Sequence, residues 1–319
     1  MYLKLQEIYN LILKMGIDHD PRGIEVVQKQ LAKEKKKIDE LKEDERKEID
    51  QDRIFNPYSD TRVLFGELDR EVKRILVGID MEVGEVILAD RLAEKGKKID
   101  LIMAHHPEGK AMAGLYDVMH LQEDLLAQLG VPVNVAEGIM AGRIGEVRRG
   151  LMPVNHNRAV DAARLLDIPL MCCHTPADNM VTEYVQKKID ENNCETLGDI
   201  VKVLKEIPEY AAAVKTGAGP TIVVGSRKRS AGKVFVDMTG GTSGSEDAYS
   251  KLSVAGVGTL VVMHISEKHR KEAEKNHVNV IIAGHMASDS LGMNLILDMI
   301  EQRGVEILTC SGLIRVKRS

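Results

Sequence analysis

The pattern that most constrains this fold begins at about residue 61, where short apolar, β-branched runs alternate with longer helical stretches. Strands that are separated by helices pair in parallel, because each helix returns the chain to the edge of the sheet where the previous strand began. The sequence therefore predicts an α/β fold. The predicted strands are residues 75–79, 101–104, 131–135, 169–173, 221–224, 234–236, 260–263, 278–283 and 307–309.

The length of 319 residues is enough for two α/β lobes, since single domains commonly hold about 100–200 residues. The best candidate boundary lies at residues 208–220, because the helical pattern ends there and Gly217 and Gly219 follow. We predict an N-terminal helix with a charged helical insertion (1–53), a first α/β lobe (54–207) and a second α/β segment (208–319), with the functional site between the two α/β parts.

The N-terminal region is predicted to be helical. Residues 1–16 repeat apolar side chains at helical spacing and end at Gly16, a residue type that commonly stops a helix. Asp20 followed by Pro21 has the order of a helix cap and a first-turn proline, and it predicts one long charged helix over residues 20–52. The heptad pattern there is too interrupted for a coiled coil, so we interpret the charges as a solvated helical face.

Composition argues against several classes of function. The net charge of -5 and the aromatic content of 3% disfavour a nucleic-acid partner, which needs clustered cations or stacking side chains. No apolar run is long enough to cross a bilayer and no secretion signal is present, which predicts a cytoplasmic protein without a membrane partner. The four cysteines form no CxxC pair and are expected to be free thiols. A small polar or phosphorylated ligand is compatible with this composition.

Side chains that commonly bind metals follow three of the predicted strands. In parallel α/β sheets, ligands bind outside the carboxyl ends of the strands, so these side chains are expected to converge in one crevice. They are His105 and His106 after strand 101–104, His174 and Asp178 after strand 169–173, and His285 and Asp289 after strand 278–283.

The two consecutive histidines predict either two ion positions or a turn. Adjacent residues of a strand point to opposite faces, so His105 and His106 cannot both reach one ion from regular strand geometry. Asp289, at the start of the following helix, could bridge two ions. Imidazole and carboxylate ligands suit zinc, iron, manganese or nickel. Each residue alone also has a structural explanation, as a hydrogen-bonded strand-end histidine or a helix cap, but their combination favours a metal site.

Four strings of the sequence resemble the NGG-interacting-factor-three family, whose members are also named GTP cyclohydrolase type two homologs. They are ILVGID at residues 75–80, KIDLIMAHHPEG at 98–109, HTPAD at 174–178 and AGHMASDSLG at 283–292. NPYSDTRVLFG at residues 56–66 is similar to the family segment before its first strand. The resemblance implies a two-lobed α/β/α sandwich in which residues 20–52 are a long charged helical insertion.

The resemblance also implies a dinuclear metal centre and an assembly. The family binds two divalent ions through paired histidines, the acidic residue of an HTxxD segment, and the His and Glu of a GHxxxE segment. These positions correspond to His105, His106, Asp178, His285 and Asp289. Asp289 departs from the family pattern, since Glu is usual there. Family members form ring-shaped homo-oligomers, commonly hexamers, and the family name implies ring opening of GTP.

Two further segments of the sequence bear on the predicted site. The string VVMHISEKH places His264 and His269 where the family has a Gly-Asp-Ile strand exit, and we interpret both as polar residues of a pocket. A Gly-rich segment after strand 234–236 either forms a tight strand-to-helix turn or directs backbone N–H groups at an anion. The predicted anion-binding residues are Gly240, Gly241, Ser243, Gly244 and Ser245.

The favoured function is a metal-dependent hydrolase that acts on a small polar or phosphorylated substrate. His174 and Glu108 adjoin the predicted ligands in sequence and are the candidate proton carriers or catalytic residues. The alternative is a non-catalytic metal-binding or regulatory protein that interacts with the transcription machinery. A third interpretation, a nucleotide-binding α/β protein without metal, would require the Gly-rich turn to matter more than the histidines.

Overall fold

The computed structural model describes residues 2–318, and its strands and helices alternate over most of that range. The strands are β1 (Leu3–Lys4), β2 (Val63–Phe65), β3 (Glu71–Val72), β4 (Arg74–Gly78), β5 (Leu101–Ala104), β6 (Leu170–Cys172), β7 (Thr221–Val224), β8 (Lys233–Asp237), β9 (Val257–Val262), β10 (Asn279–Ile282) and β11 (Glu306–Thr309).

The helices flank these strands. They are α1 (Leu5–Asp18), α2 (Ile24–Asp39), α3 (Glu43–Lys47), α4 (Val83–Glu94), α5 (Gly109–Ala113), α6 (Leu115–Val118), α7 (Leu121–Leu129), α8 (Val133–Leu151), α9 (Arg158–Leu165), α10 (Thr175–Glu191), α11 (Leu197–Lys205), α12 (Pro208–Lys215), α13 (Ala248–Val254), α14 (Glu267–Lys275) and α15 (His285–Glu301). A short 3-10 helix spans Gln51–Ile54.

Two larger sheets carry the fold. The first has the strand order β11-β4-β5-β6-β2, in which only β2 runs antiparallel to its neighbour. The second has the order β7-β10-β9-β8, in which β7 is the antiparallel edge strand. A small antiparallel pair of β1 and β3 completes the pairing. The predicted α/β class with mostly parallel strands is confirmed.

Helices α10 and α15 lie between the two sheets. One face of the first sheet packs against α4 and α9, and its other face packs against α1, α10 and α15. The second sheet packs against α10, α11, α12 and α15 on one face and against α7, α8, α13 and α14 on the other. Each sheet therefore buries apolar side chains on both faces, as expected for parallel strands.

The two central helices cross at a glycine. A Cβ atom built on Gly292 of α15 would lie 2.2 Å from the carbonyl oxygen of Ala177 in α10, so no larger residue fits without a shift of the backbone. Asp178 follows Ala177 directly, and Asp289 lies one turn before Gly292 in α15. The close crossing therefore brings these two carboxylates together.

The prediction of one long helix over residues 20–52 is wrong. Helix α2 begins at Ile24, after Gly23 with its positive φ of 90°, and α3 follows a break at residues 40–42. Asp20 does not cap this helix, because its buried carboxylate accepts hydrogen bonds from Arg22 and Tyr58. At the break, the backbone N–H of Lys42 donates to the carboxylate of Glu45, which starts α3 separately.

The predicted strand at residues 131–135 is also wrong, since helix α8 begins at Val133 directly after Pro132. The alternating valines have the period of a strand, but Ala136, Met140 and Ile144 continue as one buried helical face. The other eight predicted strands form within one to three residues of the expected bounds. The short strands β1, β2 and β3 were not predicted, because segments of two or three residues carry little periodicity.

The last strand, β11, belongs to the first sheet although it lies at the C-terminal end of the chain. β11 pairs in parallel with β4, so segment 208–319 contributes one strand to the first sheet. The division into residues 1–53, 54–207 and 208–319 stays a prediction. No helix within residues 2–318 is both long and apolar enough to span a membrane.

Candidate metal centre

The predicted ligands come together at the carboxyl ends of the strands. His105 and His106 directly follow β5, and His174 lies at the residue before α10. Because β5 and β6 are parallel neighbours, their carboxyl ends lie at the same edge of the sheet. Asp178 projects from the first turn of α10, and Asp289 lies four residues after the first residue of α15, close to the point where those helices cross.

Each oxygen of the Asp289 carboxylate faces a different set of imidazoles. Asp289 Oδ1 lies 3.5 Å from His105 Nε2. Asp289 Oδ2 lies 3.6 Å from His106 Nε2 and 3.5 Å from His285 Nε2. The Asp289 carboxylate thus lies between the Nε2 atom of His105 on one side and the Nε2 atoms of His106 and His285 on the other.

Asp178 lies close to two of the imidazoles, those of His105 and His174. Its Oδ1 atom lies 3.6 Å from His105 Nε2, and its Oδ2 atom lies 3.8 Å from His174 Nε2. Three groups of side chains could each hold a metal ion, with one ligand atom per residue and all such atoms within 4.8 Å of one another. The groups are His105, Asp178 and Asp289; His106, His285 and Asp289; and His105, His106 and His174.

These separations fit coordination better than hydrogen bonding. Ligand atoms that are bound about 2.0–2.2 Å from one tetrahedral ion lie about 3.3–3.6 Å from one another. The contacts of 3.5–3.6 Å that Asp289 makes with His105, His106 and His285 match that spacing. They are long for hydrogen bonds to imidazole nitrogens, which are typically about 2.7–3.2 Å.

Four buried acceptor or donor atoms of this cluster have no hydrogen-bond partner among the described residues: His105 Nε2, Asp178 Oδ1, Asp289 Oδ1 and Asp289 Oδ2. The side chains of His105 and Asp289 are 1% and 0% exposed, so bulk water does not solvate these atoms. An unsatisfied buried carboxylate costs several kcal/mol, on the order of a lost ion pair, and a bound cation removes that cost. The donor set therefore fits a divalent ion.

An outer set of acceptors orients three of the imidazole rings. The Nδ1 atoms of His105, His106 and His174 lie 3.1, 2.7 and 2.8 Å from the Cys173 carbonyl, the Asp80 carboxylate and the Asp60 carboxylate, respectively. When Nδ1 donates to an acceptor, Nε2 keeps its lone pair and is directed to the opposite side of the ring. All three rings therefore present Nε2 to the cluster.

The pKa values of the two carboxylates shift in opposite directions. Burial, opposed by His105 and reinforced by the charge of Asp289, raises the pKa of Asp178 well above its ordinary value. Burial acts in the same direction on Asp289, but the imidazoles of His105 and His285 outweigh it and hold the pKa of Asp289 below its ordinary value. A positive charge bound next to these two carboxylates would therefore stabilise the ionised form of both.

The imidazole of His106 is poised as a neutral ligand. Burial, together with His105 and His174, lowers the pKa of His106 to about 4. The ring is therefore uncharged at neutral pH, and a neutral imidazole is the form that binds metals.

A pocket adjoins the cluster. It is partly open to solvent, and the space between its atoms, with that open part included, is about 1000 Å³. His174, Asp178, His285 and Asp289 line one part of it. His264 and His269 also line this pocket, as the interpretation of both as pocket residues requires, and the ring of His264 lies 4.9 Å from that of His285.

The Gly-rich turn between β8 and α13 borders the same pocket. Gly241, Ser243, Gly244 and Ser245 line it, and Gly240 precedes them with a positive φ of 94°. Gln122 holds the turn by donating to the carbonyls of Gly240 and Thr242, each at 2.7 Å. Anion binding by the backbone N–H groups of this turn stays a prediction.

Glu108 lies apart from the other predicted residues. It belongs to none of the three candidate metal groups and does not line the pocket, within residues 2–318. Its backbone N–H donates to Cys172 Sγ at 3.1 Å. Burial and the charge of Glu82 raise the pKa of Glu108 to about 7. A catalytic role for Glu108 stays a prediction.

The sequence reasoning missed Asp60 and Asp80. Asp80 comes two residues after β4, so the rule that polar residues at strand ends converge could have identified it. Asp60 precedes the antiparallel strand β2 and lies 114 residues from His174 in sequence. No local pattern signals that contact, since it depends on how the segment before β2 lies across α10.

Comparison with solved structures gives the fold a name. The structure of a NIF3 superfamily protein from Sphaerobacter thermophilus matches with a TM-score of 0.71 and 27% identity, over 80% of this chain and 92% of that one. The fold is that of the NIF3 superfamily. Comparisons with protein-family models and with curated proteins found no match.

Two other structures are similar at a lower level. Reduced HcgD from Methanocaldococcus jannaschii is 14% identical with a TM-score of 0.49, over 77% of this chain and 87% of that one. A Bacillus cereus protein related to NIF3 is 11% identical with a TM-score of 0.41, over 78% of this chain and 89% of that one. The assignment of the NIF3 fold rests on the Sphaerobacter structure. A shared fold does not establish a reaction, so the function has to be argued from the site.

Proposed function

We propose that this protein is a dinuclear metal-dependent hydrolase that acts on a small polar or phosphorylated substrate. The observation that carries the proposal is the Asp289 carboxylate, which is buried, has no hydrogen-bond partner within residues 2–318, and directs its two oxygens at different imidazoles. One ion would be held by His105, Asp178 and Asp289, and a second by His106, His285 and Asp289. Asp289 would then be a ligand of both ions.

The donor set defines the class of metal. Imidazole nitrogens and carboxylate oxygens, without thiolates, suit zinc, iron, manganese or nickel. Cys173 lies next to the cluster, but burial raises the pKa of its thiol well above the ordinary value, and it contributes its carbonyl instead. Asp289 is one methylene shorter than the Glu that the resembling family usually has at this position.

Hydrolysis is supported by the pocket beside the cluster. Divalent ions bound there would polarise a phosphoryl or carbonyl oxygen and make water a stronger nucleophile at neutral pH. His174 has its Nδ1 atom held by Asp60 and its Nε2 atom near Asp178, and these contacts support a role for His174 in proton transfer. The hydrogen bonds from His174 and Thr175 outweigh burial and keep the pKa of Asp60 below its ordinary value.

The substrate, the oligomeric state and the cellular location are part of the same proposal. Ring opening of GTP is the reaction that the name of the resembling family implies, and a phosphate near the Gly-rich turn would be compatible with it. The same resemblance leads us to propose a homo-oligomer, such as a hexamer. The composition leads us to propose a cytoplasmic location. Substrate panels and solution mass measurements test these points separately.

Metal analysis tests the central claim. Purified protein should contain about two divalent ions per chain, and His105→Ala should lose at least one of them together with metal-dependent turnover on phosphoester and cyclic-amide panels. His120→Ala is the matched control, because His120 is exposed and pairs only with Glu123. It should retain both metal and turnover.

The possible results separate the interpretations. Bound metal without turnover on any panel would favour the non-catalytic metal-binding alternative over the hydrolase. Wild-type protein that binds no divalent ion after exposure to zinc, iron, manganese and nickel would overturn the metal site itself. Turnover that survives both chelation and His105→Ala would overturn the mechanism.

A further inference from the structure

Asp237 is a carboxylate in the pocket that the candidate metal groups do not use. It is the last residue of β8, and it lines the same pocket as His285 and Asp289. Within residues 2–318, its carboxylate makes no hydrogen bond and no ion pair, and it belongs to none of the three metal groups. Its capacity to accept hydrogen bonds is therefore available to a molecule in the pocket.

The sheet places Asp237 at a defined distance from the metal cluster. Asp237 pairs with Val262 of β9, which pairs with Ile282 of β10, the strand that leads into His285. Neighbouring strands lie about 4.8 Å apart, so Asp237 stands roughly 10 Å from Ile282 along the same carboxyl edge. A molecule of ordinary metabolite size can contact both ends at once.

Apolar side chains cover much of the sheet face on which Asp237 lies. Phe235, two residues earlier in β8, and Leu252, Leu260 and Val262 belong to the core on that face and line the same pocket, as do polar residues of the Gly-rich turn. Tyr249 packs nearby against the ring of His269, with ring centroids 5.7 Å apart. Burial raises the pKa of Asp237 to about 6, and no cationic side chain offsets this effect. A carboxylate in such a wall repels anions and favours a ligand that supplies a positive charge or an N–H donor.

We propose that Asp237 determines specificity by binding a nitrogen group, an amine or an amidine-like N–H pair, on an apolar or planar part of the substrate. This inference rests on the proposed function, since it names the chemistry of the substrate that reaches the metal cluster. The reacting group lies at the histidines, and the nitrogen-bearing end lies about two strands away, at Asp237. A phosphate is excluded from the Asp237 end by charge repulsion.

Binding of two matched probes to the full-length protein tests the proposal without any turnover. Benzamidine and benzamide have nearly the same shape, but only benzamidine is a cation with a pair of N–H groups for a carboxylate. Calorimetric titration at pH 8 should show that the wild type binds benzamidine at least about tenfold more tightly than benzamide. Asp237→Asn should remove that preference, and Asp237→Glu should retain part of it.

Asp247→Asn is the control for net charge, because Asp247 is exposed and lies after the same Gly-rich turn. It should bind both probes as the wild type does. Equal binding of the two probes by the wild type, or a benzamidine preference that persists in Asp237→Asn, would overturn the proposal.

The failure of this proposal and the failure of the metal site give different results. His105→Ala should lose metal but keep the benzamidine preference, whereas Asp237→Asn should lose the preference but keep the wild-type metal content. A wild type without metal that still prefers benzamidine would overturn the hydrolase and leave Asp237 as a nitrogen-binding residue.

Discussion

The buried carboxylates of Asp20 and Asp289 differ in their partners. Asp20 accepts hydrogen bonds from Arg22 Nε and Nη2 and from the Tyr58 hydroxyl, each at 2.9 Å, and the Arg22 guanidinium neutralises its charge. Asp289 is equally buried, yet its oxygens have no hydrogen-bond donor among the described residues. One carboxylate is satisfied by the chain itself, and the other is not.

The difference separates a structural role from a binding role. A buried charge with a complete set of partners holds the fold together, and no ligand is needed to explain it. A buried charge without partners lowers the stability of the metal-free protein and creates affinity for a cation. The two clusters should therefore respond in opposite ways to the removal of a charge.

The largest effect is expected for Arg22→Met. The substitution leaves Asp20 buried without its counter-charge, which should lower the free energy of unfolding by about 3–5 kcal/mol. Urea denaturation at pH 8 measures the change. Arg303→Met is the control, because Arg303 is exposed, and it should change stability by less than about 0.5 kcal/mol. Equal effects of the two substitutions would remove the contrast with the metal cluster.

Asp178→Asn should have the opposite outcome at the other cluster. The affinity for a divalent ion should fall at least a hundredfold, about 2.7 kcal/mol, because a ligand oxygen of the buried group is lost. The metal-free variant should be at least as stable as the metal-free wild type, since burial and the charge of Asp289 disfavour the ionised Asp178. Calorimetric metal titration and urea denaturation with a chelator give the two values. A metal-free variant that is clearly less stable would contradict the comparison.

Gly292→Ala tests whether the helix crossing sets the geometry of the cluster. The added Cβ would meet the Ala177 carbonyl, so α10 and α15 must separate, and stability should fall by about 1–3 kcal/mol together with metal affinity. Gly138→Ala in α8 is matched, because nothing lies within 4 Å of its added Cβ. That control should gain about 0.5–1 kcal/mol from helix propensity and keep its metal.

The smallest effect is expected at Asp237 and depends on pH. The pKa of Asp237 is raised from 3.8 to about 6 in the folded protein, so the folded state favours the protonated form. The cost of the charge is therefore fully present above about pH 6 and absent below about pH 4. This rise of the Asp237 pKa corresponds to about 3 kcal/mol, and because Asp237 is only partly buried, solvent screening reduces the expected gain in the free energy of unfolding for Asp237→Asn to about 1–2 kcal/mol at pH 8. Near pH 4 the gain should be below about 0.5 kcal/mol. Denaturation curves at the two pH values measure this.

The parts of the site that follow directly from strand ends could be predicted from the sequence. His105 and His106 come immediately after a buried strand, and parallel pairing fixes which edge they share with His174. Asp60 could not be predicted in the same way, because its contact with His174 joins segments that no local periodicity relates. The crossing at Gly292 was hidden for the same reason.

The elements of the fold also divide into those that could be predicted from the sequence and those that could not. Strands that lie within longer apolar runs could be located, whereas the predicted helix over residues 20–52 failed because its breaks depend on single backbone contacts. The Val131 region failed because a proline-initiated helix begins with residues that alternate like a strand. In both cases, local backbone features decided the structure, at Gly23, at the start of α3 and at Pro132.

The position of α10 and α15 between the sheets has a consequence for cooperativity. Both helices contribute side chains to the cores of both sheets, and each also carries one of the two carboxylates of the cluster. An ion held by Asp178 and Asp289 would cross-link the two halves at their shared centre. Hydrogen exchange of the amides in both sheets should then slow together when metal binds, so that the halves open as one unit.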